Sequence, residues 1–492
     1  MRTNVRFLRK GKIIELADVR PTDTVLDYLR LRERACGTKE GCAEGDCGAC
    51  TIAVGTLKNG ELRYQPVNSC IQLMGQIDGM EIVAVDDLAL RENGLHPVQA
   101  AMVNHHGSQC GFCTPGFVMS LFTLYHAAAK PSRSDVNNWL AGNLCRCTGY
   151  RPIVDAALDS CSGEPADSYA RAASQTASML QSLASDEDVF IGDDKSFLAV
   201  PASVESLDEL YARHPDAILV SGATDVGLWI TKQLRVLPKI ICLQRAGLDR
   251  IETTADALII GSTATYSDAE SHLAALDPDL GELLRRLGSK QVRAAGTVGG
   301  NIANGSPVGD TPPALMALAA TIELRRAGTT RSLPLEQFFI AYGKQDRAPG
   351  EFLTRIMIPK LKPGQIFRCY KISKRFDQDI SGLMAAFRFE LEAGTIIEAR
   401  IAFGGMAEIP KRAVKTEAAM SNMLLADQAQ WKQVMAVLAE DFKPISDHRA
   451  SAGYRMATAK ALLEKVLREI TSNRTDDTRV IGVREADLGR VA

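Results

Sequence analysis

The sequence predicts a multidomain α+β protein, and three observations support that fold class. Nine of the twelve cysteines lie before residue 148. The hydrophobic pattern changes near residue 85, from alternating strand-like segments to helical periodicity. After residue 190 cysteine nearly disappears, and short apolar strands such as "AILVSG" and "ALIIGS" alternate with helical stretches. A chain of 492 residues is long enough for three or four domains, each with its own core.

These changes divide the chain into six segments. Residues 1–85 predict a β-rich domain that opens with hairpin strands at 4–8 and 12–16. Residues 86–160 predict a bundle of four short helices, one of them capped by Ser134 and Asp135. Residues 161–190, rich in Ala, Ser and Asp, predict a partly helical linker. The rest divides into a strand-and-helix domain at 191–366, a C-terminal domain of strands and then helices at 367–471, and a polar tail at 472–492.

Charge and hydropathy exclude several classes of function. A net charge of −2 and a pI near 6.4 give no sign of the basic surface that nucleic-acid or membrane-surface binding requires. The N-terminus "MRTNVRFLRKGKIIEL" lacks the apolar segment of a secretory signal, and no run of about 18 apolar residues predicts a membrane span. We therefore expect a cytoplasmic protein in a reducing compartment, where metal binding explains a concentration of cysteines better than disulfides do.

The first cysteine cluster lies in "GCAEGDCGAC", with a fourth cysteine in "VNSC". The spacing C-x4-C-x2-C followed by a lone cysteine is that of plant-type 2Fe–2S clusters. The glycines between these cysteines suit a chain that must curl closely around a cluster. A zinc ribbon is the alternative, but zinc sites prefer C-x2-C pairs at both ends. The predicted ligands are Cys42, Cys47, Cys50 and Cys70.

A second set of four cysteines lies in "SQCGFCTPG" and "GNLCRCTGYRP". A C-x-C pair is too tight for an unstrained disulfide between its own members, so we expect its two thiolates to share a metal site with the earlier pair. The predicted ligands of a second 2Fe–2S cluster are Cys110, Cys113, Cys145 and Cys147, with zinc as the alternative. The other four cysteines, Cys36, Cys161, Cys242 and Cys369, are expected to be structural or to have no role. The seven histidines form no ligand pattern, and His105 and His106 are expected to be polar residues at a helix end.

Two glycine-rich segments follow in the strand-and-helix domain, "LVSGATDVG" at 219–227 and "AAGTVGGNIANGSPVGD" at 294–310. Neither has the G-x-G-x-x-G spacing, which disfavours a Rossmann nucleotide site. Both could present clustered backbone N–H groups to a pyrophosphate, and each could equally be a turn-rich structural loop. Two such segments beside two iron–sulfur sites favour a dinucleotide redox cofactor.

On these motifs the chain resembles the xanthine dehydrogenase group of the molybdenum hydroxylases, from about residue 4 to 470. "GTKEGCAEGDCGACTIAV", "GSQCGFCTPGFVMSL" and "GNLCRCTGYRPI" resemble the two iron–sulfur motifs of that group. "LVSGATDVG" and "AAGTVGGNIANGSPVGDTPP" resemble its flavin motifs. The resemblance implies a β-grasp ferredoxin-like domain, a four-helix iron–sulfur bundle, an FAD-binding α+β fold of the vanillyl-alcohol-oxidase type with two subdomains, and a C-terminal α+β domain. It also implies that the molybdopterin-binding part is a separate chain, as in the two-subunit bacterial members.

The resemblance assigns residues of the flavin motifs to FAD. One segment would line the pyrophosphate and adenosine, a second would contact the flavin and phosphates, and three later residues would bond, neutralise or pack against the cofactor. In that order they are Leu219, Val220, Ser221, Gly222, Ala223, Thr224, Asp225 and Val226; Thr297, Val298, Gly299, Gly300 and Asn301; and Asp310, Lys371 and Leu353.

Some positions of the resemblance leave alternatives open. Leu287 stands where animal relatives carry a phenylalanine near the flavin ring, so aromatic stacking is lost there. Gln109 is expected to reach the pterin amine of the partner's cofactor, or else to be an ordinary polar residue at a helix end. Asp377 or Asp379 would lie near the flavin and influence access of NAD, or would be turn residues.

The function implied by the resemblance is electron transfer within a xanthine dehydrogenase. Oxidation of hypoxanthine or xanthine to urate at molybdenum on the partner would supply electrons to two 2Fe–2S clusters, then to FAD and NAD⁺. The expected assembly is a two-plus-two heterotetramer. Three alternatives remain: a subunit of a related hydroxylase acting on an aldehyde or another N-heterocycle, a stand-alone flavin and iron–sulfur reductase, and a zinc-binding adaptor without enzymatic activity.

Overall fold

The computed structural model describes residues 1–92 and 94–479, which divide into two units. The first unit comprises Met1–Leu248 and Gly288–Thr297, and the second comprises Asp249–Leu287 and the described residues from Val298 onward. Residues 480–492 of the predicted polar tail lie outside the described residues. Within the described part of the chain, no helix combines the length and apolar character that crossing a bilayer requires.

The first unit begins with a mixed five-stranded sheet, as the β-grasp prediction requires. Val5–Arg9 is antiparallel to Lys12–Leu16, which confirms the hairpin, and it is parallel to Glu81–Val83. A short helical segment begins after the cap residue Thr24, and its apolar side chains join the core beneath the sheet. In spatial order the strands are Lys12–Leu16, Val5–Arg9, Glu81–Val83, Thr51–Lys58 and Glu61–Asn68.

The predicted helical bundle follows in the same unit. The four predicted helices are Pro97–Asn104, Thr114–Ala127, Arg133–Leu140 and Arg151–Ser160, and a further helix, Val85–Glu92, precedes them. Three of them carry proline in the first turn, where the missing N–H has no intrahelical partner to lose. The predicted cap at Ser134 and Asp135 was wrong by two residues. Ser132 is the cap, and Asp135 at the third helical position completes the capping box.

The segment 161–190, predicted as a linker, contains helices Ser168–Arg171 and Ala173–Leu183. A four-stranded sheet then completes the first unit, and its apolar side chains share one core with the N-terminal sheet. In spatial order its strands are Val189–Gly192, Phe197–Val200, Lys239–Cys242 and Ile218–Val220, the last three being parallel. The helices of this part are Val204–Arg213, Val226–Thr231 and Lys290–Ala295.

The second unit contains two antiparallel sheets, each covered by helices. The first sheet has the strands Ile251–Thr253, Ala257–Gly261, Phe352–Pro359, Thr321–Arg326 and Thr329–Pro334 in spatial order. It packs with the helices Tyr266–Leu276, Pro278–Arg285, Val298–Asn304, Thr311–Ala317 and Leu335–Phe338. A small hairpin, Phe339–Ala341 with Lys344–Gln345, follows.

The C-terminal sheet is built on the long strands Gln365–Ile372, Leu383–Glu392 and Thr395–Gly404, with short strands Lys411–Arg412 and Met423–Leu424 at its edge. Its helices are Val414–Met420, Gln428–Asp441 and Ala452–Ser472. Phenylalanines of the sheet and leucines of the last helix form one buried core. The strands and helices of both units confirm the multidomain α+β class.

Candidate functional site

Three cysteines of the first site lie in the loop before strand Thr51–Lys58, and the fourth, Cys70, follows strand Glu61–Asn68. Cys42 and Cys47 are half-buried, whereas Cys50 and Cys70 are buried. Cys42 and Cys47 lie beside each other, as do Cys50 and Cys70, and each thiol shifts the pKa of its neighbour. The four predicted ligands therefore form two thiol pairs.

Two features of this loop fit an anionic cluster. The hydrogen bond from the Cys47 thiol lowers the pKa of Cys42 to about 5, against the effect of burial, so Cys42 supplies a thiolate at neutral pH. The backbone N–H of Cys47 also donates to the sulfur of Cys42 at 3.3 Å. A Cβ atom on Gly41 would lie 2.7 Å from the Cys47 sulfur, so only glycine lets the backbone pass this close.

The second four-cysteine site lies at the surface of the helical bundle. Cys110 and Cys147 are exposed, and Cys113 immediately precedes helix Thr114–Ala127. The thiols again form pairs, Cys110–Cys147 and Cys113–Cys145, which bring the four predicted ligands together. The backbone N–H of Phe112 lowers the pKa of the Cys110 thiol, while burial raises that of Cys113 to about 12.

Two more residues belong to this second site, the ligand Cys145 and Gln109, the predicted pterin contact. Although burial acts in the opposite direction, the backbone N–H of Thr148, 3.4 Å from the sulfur, lowers the pKa of Cys145. The side chain of Gln109 is exposed beside Cys110. Both sites thus bring four unbridged thiols together as two neighbouring pairs, a donor set that fits a 2Fe–2S cluster.

The two cysteine sites are joined through the backbone. The N–H of Leu144 donates to the carbonyl oxygen of Cys47 at 3.0 Å, so one hydrogen bond and one peptide unit separate Cys47 from Cys145. Gly48, at a φ of +70°, approaches so closely that a Cβ atom would lie 2.2 Å from the carbonyl oxygen of Gly142. The ligand loops of the two sites are therefore packed directly on each other.

The glycine-rich loop at Leu219–Val226 belongs to the first unit and follows strand Ile218–Val220. A Cβ atom on Gly222 would lie 2.2 Å from the carbonyl oxygen of Ala295, which belongs to the second glycine-rich segment. The carbonyl oxygen of Ser221 accepts hydrogen bonds from the side chains of Gln76 and Gln244. This anchored loop has the close backbone packing that a phosphate-binding segment needs.

The predicted flavin contacts in the second unit surround a tight turn. The N–H of Gly299 donates to the carbonyl oxygen of Ser262 at 3.1 Å, and a Cβ atom on Gly299 would lie 2.5 Å from that oxygen. Within the described residues, the buried hydroxyl oxygens of Ser262 and Thr263 have no hydrogen-bond partner. Buried polar atoms are rarely left without partners, so these hydroxyls fit contacts to a bound cofactor. Neither residue was predicted from the sequence, although both directly follow strand Ala257–Gly261.

A buried polar network joins two more of the predicted contacts. The ammonium of Lys371 lies 2.5 Å from Asp310 and donates to Ser381 at 3.1 Å. Ser381, which the sequence analysis also missed, in turn donates to Asp310. Leu353 is buried in the core of the second unit, and the partly buried Leu287 packs against that core.

The aspartates that the sequence analysis left open lie in the turn after Lys371. Asp379 accepts the backbone N–H of Arg375 at 2.9 Å, which gives it the role of a turn residue. Asp377 pairs with Arg285 at 3.6 Å. A cavity of about 290 Å³ lies nearby in the second unit, and Arg286, Phe376, Tyr370, Lys371 and Arg479 are among its lining residues.

A buried His–Asp–His cluster in the first unit was not predicted. The carboxylate of Asp167 lies 2.6 Å from Nε2 of His96 and 2.9 Å from Nε2 of His126. Nδ1 of His96 accepts the backbone N–H of Val98, so its Nε2 carries the proton and donates to Asp167. That proton occupies the position a metal would need, and the cluster is therefore a hydrogen-bonded clamp. His105 pairs with Asp159 at 3.0 Å.

Two four-thiol sites and a turn with unpartnered hydroxyls define an iron–sulfur flavoprotein. Three family profiles match in succession: a 2Fe-2S binding domain at residues 84–158, an FAD binding domain in molybdopterin dehydrogenase at 194–361, and a CO dehydrogenase flavoprotein C-terminal domain at 368–470. The chain belongs to the molybdenum hydroxylase family, as an iron–sulfur and FAD electron-transfer module.

Similar proteins include xanthine dehydrogenase/oxidase of Mus musculus, 33% identical over 464 residues, which covers 83% of this chain and 34% of the relative. Xanthine dehydrogenase of Drosophila subobscura is 29% identical and covers 97% of this chain and 40% of the relative. The chain thus spans between a third and two fifths of these relatives. Reconstituted CO dehydrogenase from Oligotropha carboxidovorans has a similar structure, with 25% identity and a TM-score of 0.51, covering 54% of this chain and 94% of the other. A chain of quinoline 2-oxidoreductase from Pseudomonas putida 86 shares the fold, at 24% identity and a TM-score of 0.50, over 55% of this chain and 94% of the other.

Proposed function

We propose that this chain is the electron-transfer subunit of a xanthine dehydrogenase and works with a molybdopterin-binding partner chain. When bound, two 2Fe–2S clusters and FAD would carry electrons from the oxidation of hypoxanthine or xanthine to urate on to NAD⁺. The observation that carries the proposal is the pair of four-cysteine sites linked by the Leu144–Cys47 hydrogen bond. The similarity to xanthine dehydrogenases supports the substrate.

The chain's own residues would bind and orient these groups. The eight cysteines hold the two clusters, and the thiolate of Cys42 is available at neutral pH because of its low pKa. In the second unit, Asp310 and Lys371 form a buried pair that can hydrogen-bond the flavin without leaving an uncompensated charge. In the first unit, the segment Leu219–Val226 would supply backbone N–H groups to the phosphates.

We also propose a two-plus-two heterotetramer in the cytoplasm. The exposed Gln109 and Cys110 place a polar side chain and a cluster ligand together on the surface, where a partner's pterin could be reached. Twelve free cysteines are consistent with a reducing compartment.

The test is purification of the chain with its partner, metal and flavin analysis, and steady-state assay with purines, aldehydes and quinoline, using NAD⁺ or oxygen as acceptor. We expect iron, acid-labile sulfide, FAD and molybdenum in the complex, and oxidation of xanthine with NAD⁺. Preference for an aldehyde or quinoline would assign a related hydroxylase instead. An active monomer without molybdenum would identify a stand-alone reductase. A colourless zinc protein would refute the proposed electron-transfer function altogether.

A further inference from the structure

Between the two cysteine sites lies a side chain that does not belong to either ligand loop. Gln291 is on the short helix Lys290–Ala295, within the matched FAD-binding domain, yet its contacts place it in the first unit. It is 1% exposed. Its helix belongs to Gly288–Thr297, a stretch flanked in the chain by Leu287 and Val298 of the second unit.

The amide nitrogen of Gln291 has acceptors on both iron–sulfur domains. It lies 3.2 Å from Oγ1 of Thr51, the residue after the ligand Cys50. It also lies 3.2 Å from Oγ of Ser120 and 3.0 Å from Oδ1 of Asn143, both in the helical bundle. One amide group is thus shared by residues adjacent to the two sites.

Further hydrogen bonds connect these acceptors to the ligand loops. Thr51 Oγ1 donates to the carbonyl oxygen of Gly48 at 2.6 Å, and the amide of Asn143 donates to the same oxygen at 3.2 Å. Ser120 donates to Asn143 at 2.7 Å. Gly48 follows Cys47, and Asn143 precedes the Leu144 N–H that bonds to Cys47. The network therefore surrounds the place where the two ligand loops bond directly, Cys47–Gly48 against Asn143–Leu144.

The helix that carries Gln291 packs closely against Gly142 and Trp139. A Cβ atom on Gly142 would lie 2.2 Å from Oε1 of Gln291 and 2.4 Å from Cβ of Ser289. The ammonium of Lys290, the preceding residue, lies 4.7 Å above the ring of Trp139. Both contacts hold the helix against the end of Arg133–Leu140, directly before the second C-x-C pair.

We propose that Gln291 is a positioning residue that fixes the spatial relation between the two iron–sulfur sites. This inference rests on the proposed cluster content, but its role is separate from ligation. Because the amide donates to acceptors beside both ligand loops, it keeps the Leu144–Cys47 hydrogen bond in place. The same hydrogen bonds attach the stretch Gly288–Thr297, which leads into the flavin motif, to the place where the two ligand loops meet.

The test compares Gln291→Met, which preserves length but removes the amide, with the control Gln430→Met. Gln430 also uses its amide for a side-chain hydrogen bond, to Asp427 at 2.9 Å, but in the second unit. Electron paramagnetic resonance of the reduced holoprotein measures the magnetic splitting between the clusters, and hydrogen exchange measures opening at Leu144. We expect Gln291→Met to retain both cluster signals, change the splitting, and accelerate exchange at Leu144 about fivefold, since one lost hydrogen bond is worth about 1 kcal/mol. Gln430→Met should leave both unchanged.

A wild-type splitting and wild-type Leu144 exchange in Gln291→Met would overturn the proposal, even if the variant melted at a lower temperature. If Gln291→Met fails to assemble clusters, Ser120→Ala is measured instead, because it removes one acceptor and leaves the glutamine. A changed splitting in Ser120→Ala supports the proposal, and an unchanged splitting refutes it. Loss of both signals in wild type would refute the proposed cluster content instead.

Discussion

Replacing Lys371 by methionine removes one charge from a buried pair and leaves the carboxylate of Asp310 without its partner. The side chains are 2% and 7% exposed, and their charged atoms are 2.5 Å apart. Removing one member of such a pair typically costs about 3–5 kcal/mol of stability. Ser381 can still donate to Asp310, which places the expected loss toward the lower end, at about 3 kcal/mol.

The same substitution tests whether Lys371 contacts the flavin. A hydrogen bond to a charged group contributes about 1.5–3 kcal/mol, so FAD affinity should fall roughly tenfold to a hundredfold. The double variant Lys371→Met with Asp310→Asn removes both charges. It should recover most of the stability, because no uncompensated charge remains, but it should not recover FAD affinity.

Urea unfolding of the cofactor-free protein and titration with FAD measure the two quantities separately. The control is Lys411→Met, on the surface strand Lys411–Arg412 of the same sheet, whose ammonium donates to a backbone carbonyl. Full stability in Lys371→Met would refute the energetic argument. Reduced stability with unchanged FAD affinity would show that the pair is structural and that the assignment of Lys371 to the flavin is wrong.

Three further predictions concern the first unit. Cys147→Ser should abolish the signal of the second cluster and spare the first; retention of both would remove Cys147 from the ligand set. Gly48→Ala should cost at least about 2 kcal/mol and lower iron content, because its φ is +70° and its Cβ would clash with a backbone oxygen; normal iron content and stability would contradict this. Burial would raise the pKa of Asp167, but the hydrogen bonds from His126 and His96 lower it. Since the folded-state pKa lies below the unfolded value of about 3.9, the stability from Asp167 is present above about pH 4 and is lost as pH falls below it. Thermal melts of Asp167→Ala should show a lower melting temperature at pH 7 and a weaker loss on acidification, and an acid profile like wild type would refute the clamp.

The comparisons with known proteins show that this fold does not identify the substrate. Relatives named for xanthine and solved structures named for carbon monoxide and quinoline share parts of the same architecture. A fold common to several reactions identifies the cofactor-binding module but not the reaction. The purine assignment therefore depends on the assay with the partner chain, whereas the predictions for Cys147, Gly48 and Lys371 can be tested on this chain alone.

The grouping of eight cysteines into two sets of four could be predicted from sequence because the pattern is local. Three ligands of the first site lie within nine residues, and the ligands of the second form two short pairs at the ends of helices. Helix starts were also predictable where proline marks the first turn. The cap at Ser132 was missed because several polar residues compete there, and only the capping box with Asp135 distinguishes them.

The polar networks could not be predicted in the same way, because their members are distant in sequence. Ser381 and Asp310 are separated by 71 residues, and so are His96 and Asp167. A lone serine or histidine carries no periodic signal, and its partner is set by the packing of whole elements. Asp167 illustrates the consequence: its segment predicted a linker from composition, yet its carboxylate is buried between two imidazoles. Burying a carboxylate is costly unless donors compensate it, so the clamp must form together with the packing of Ser168–Arg171 onto the bundle. Composition alone cannot distinguish such a clamped segment from a free linker, and the acid-stability profile of Asp167→Ala is the measurement that does.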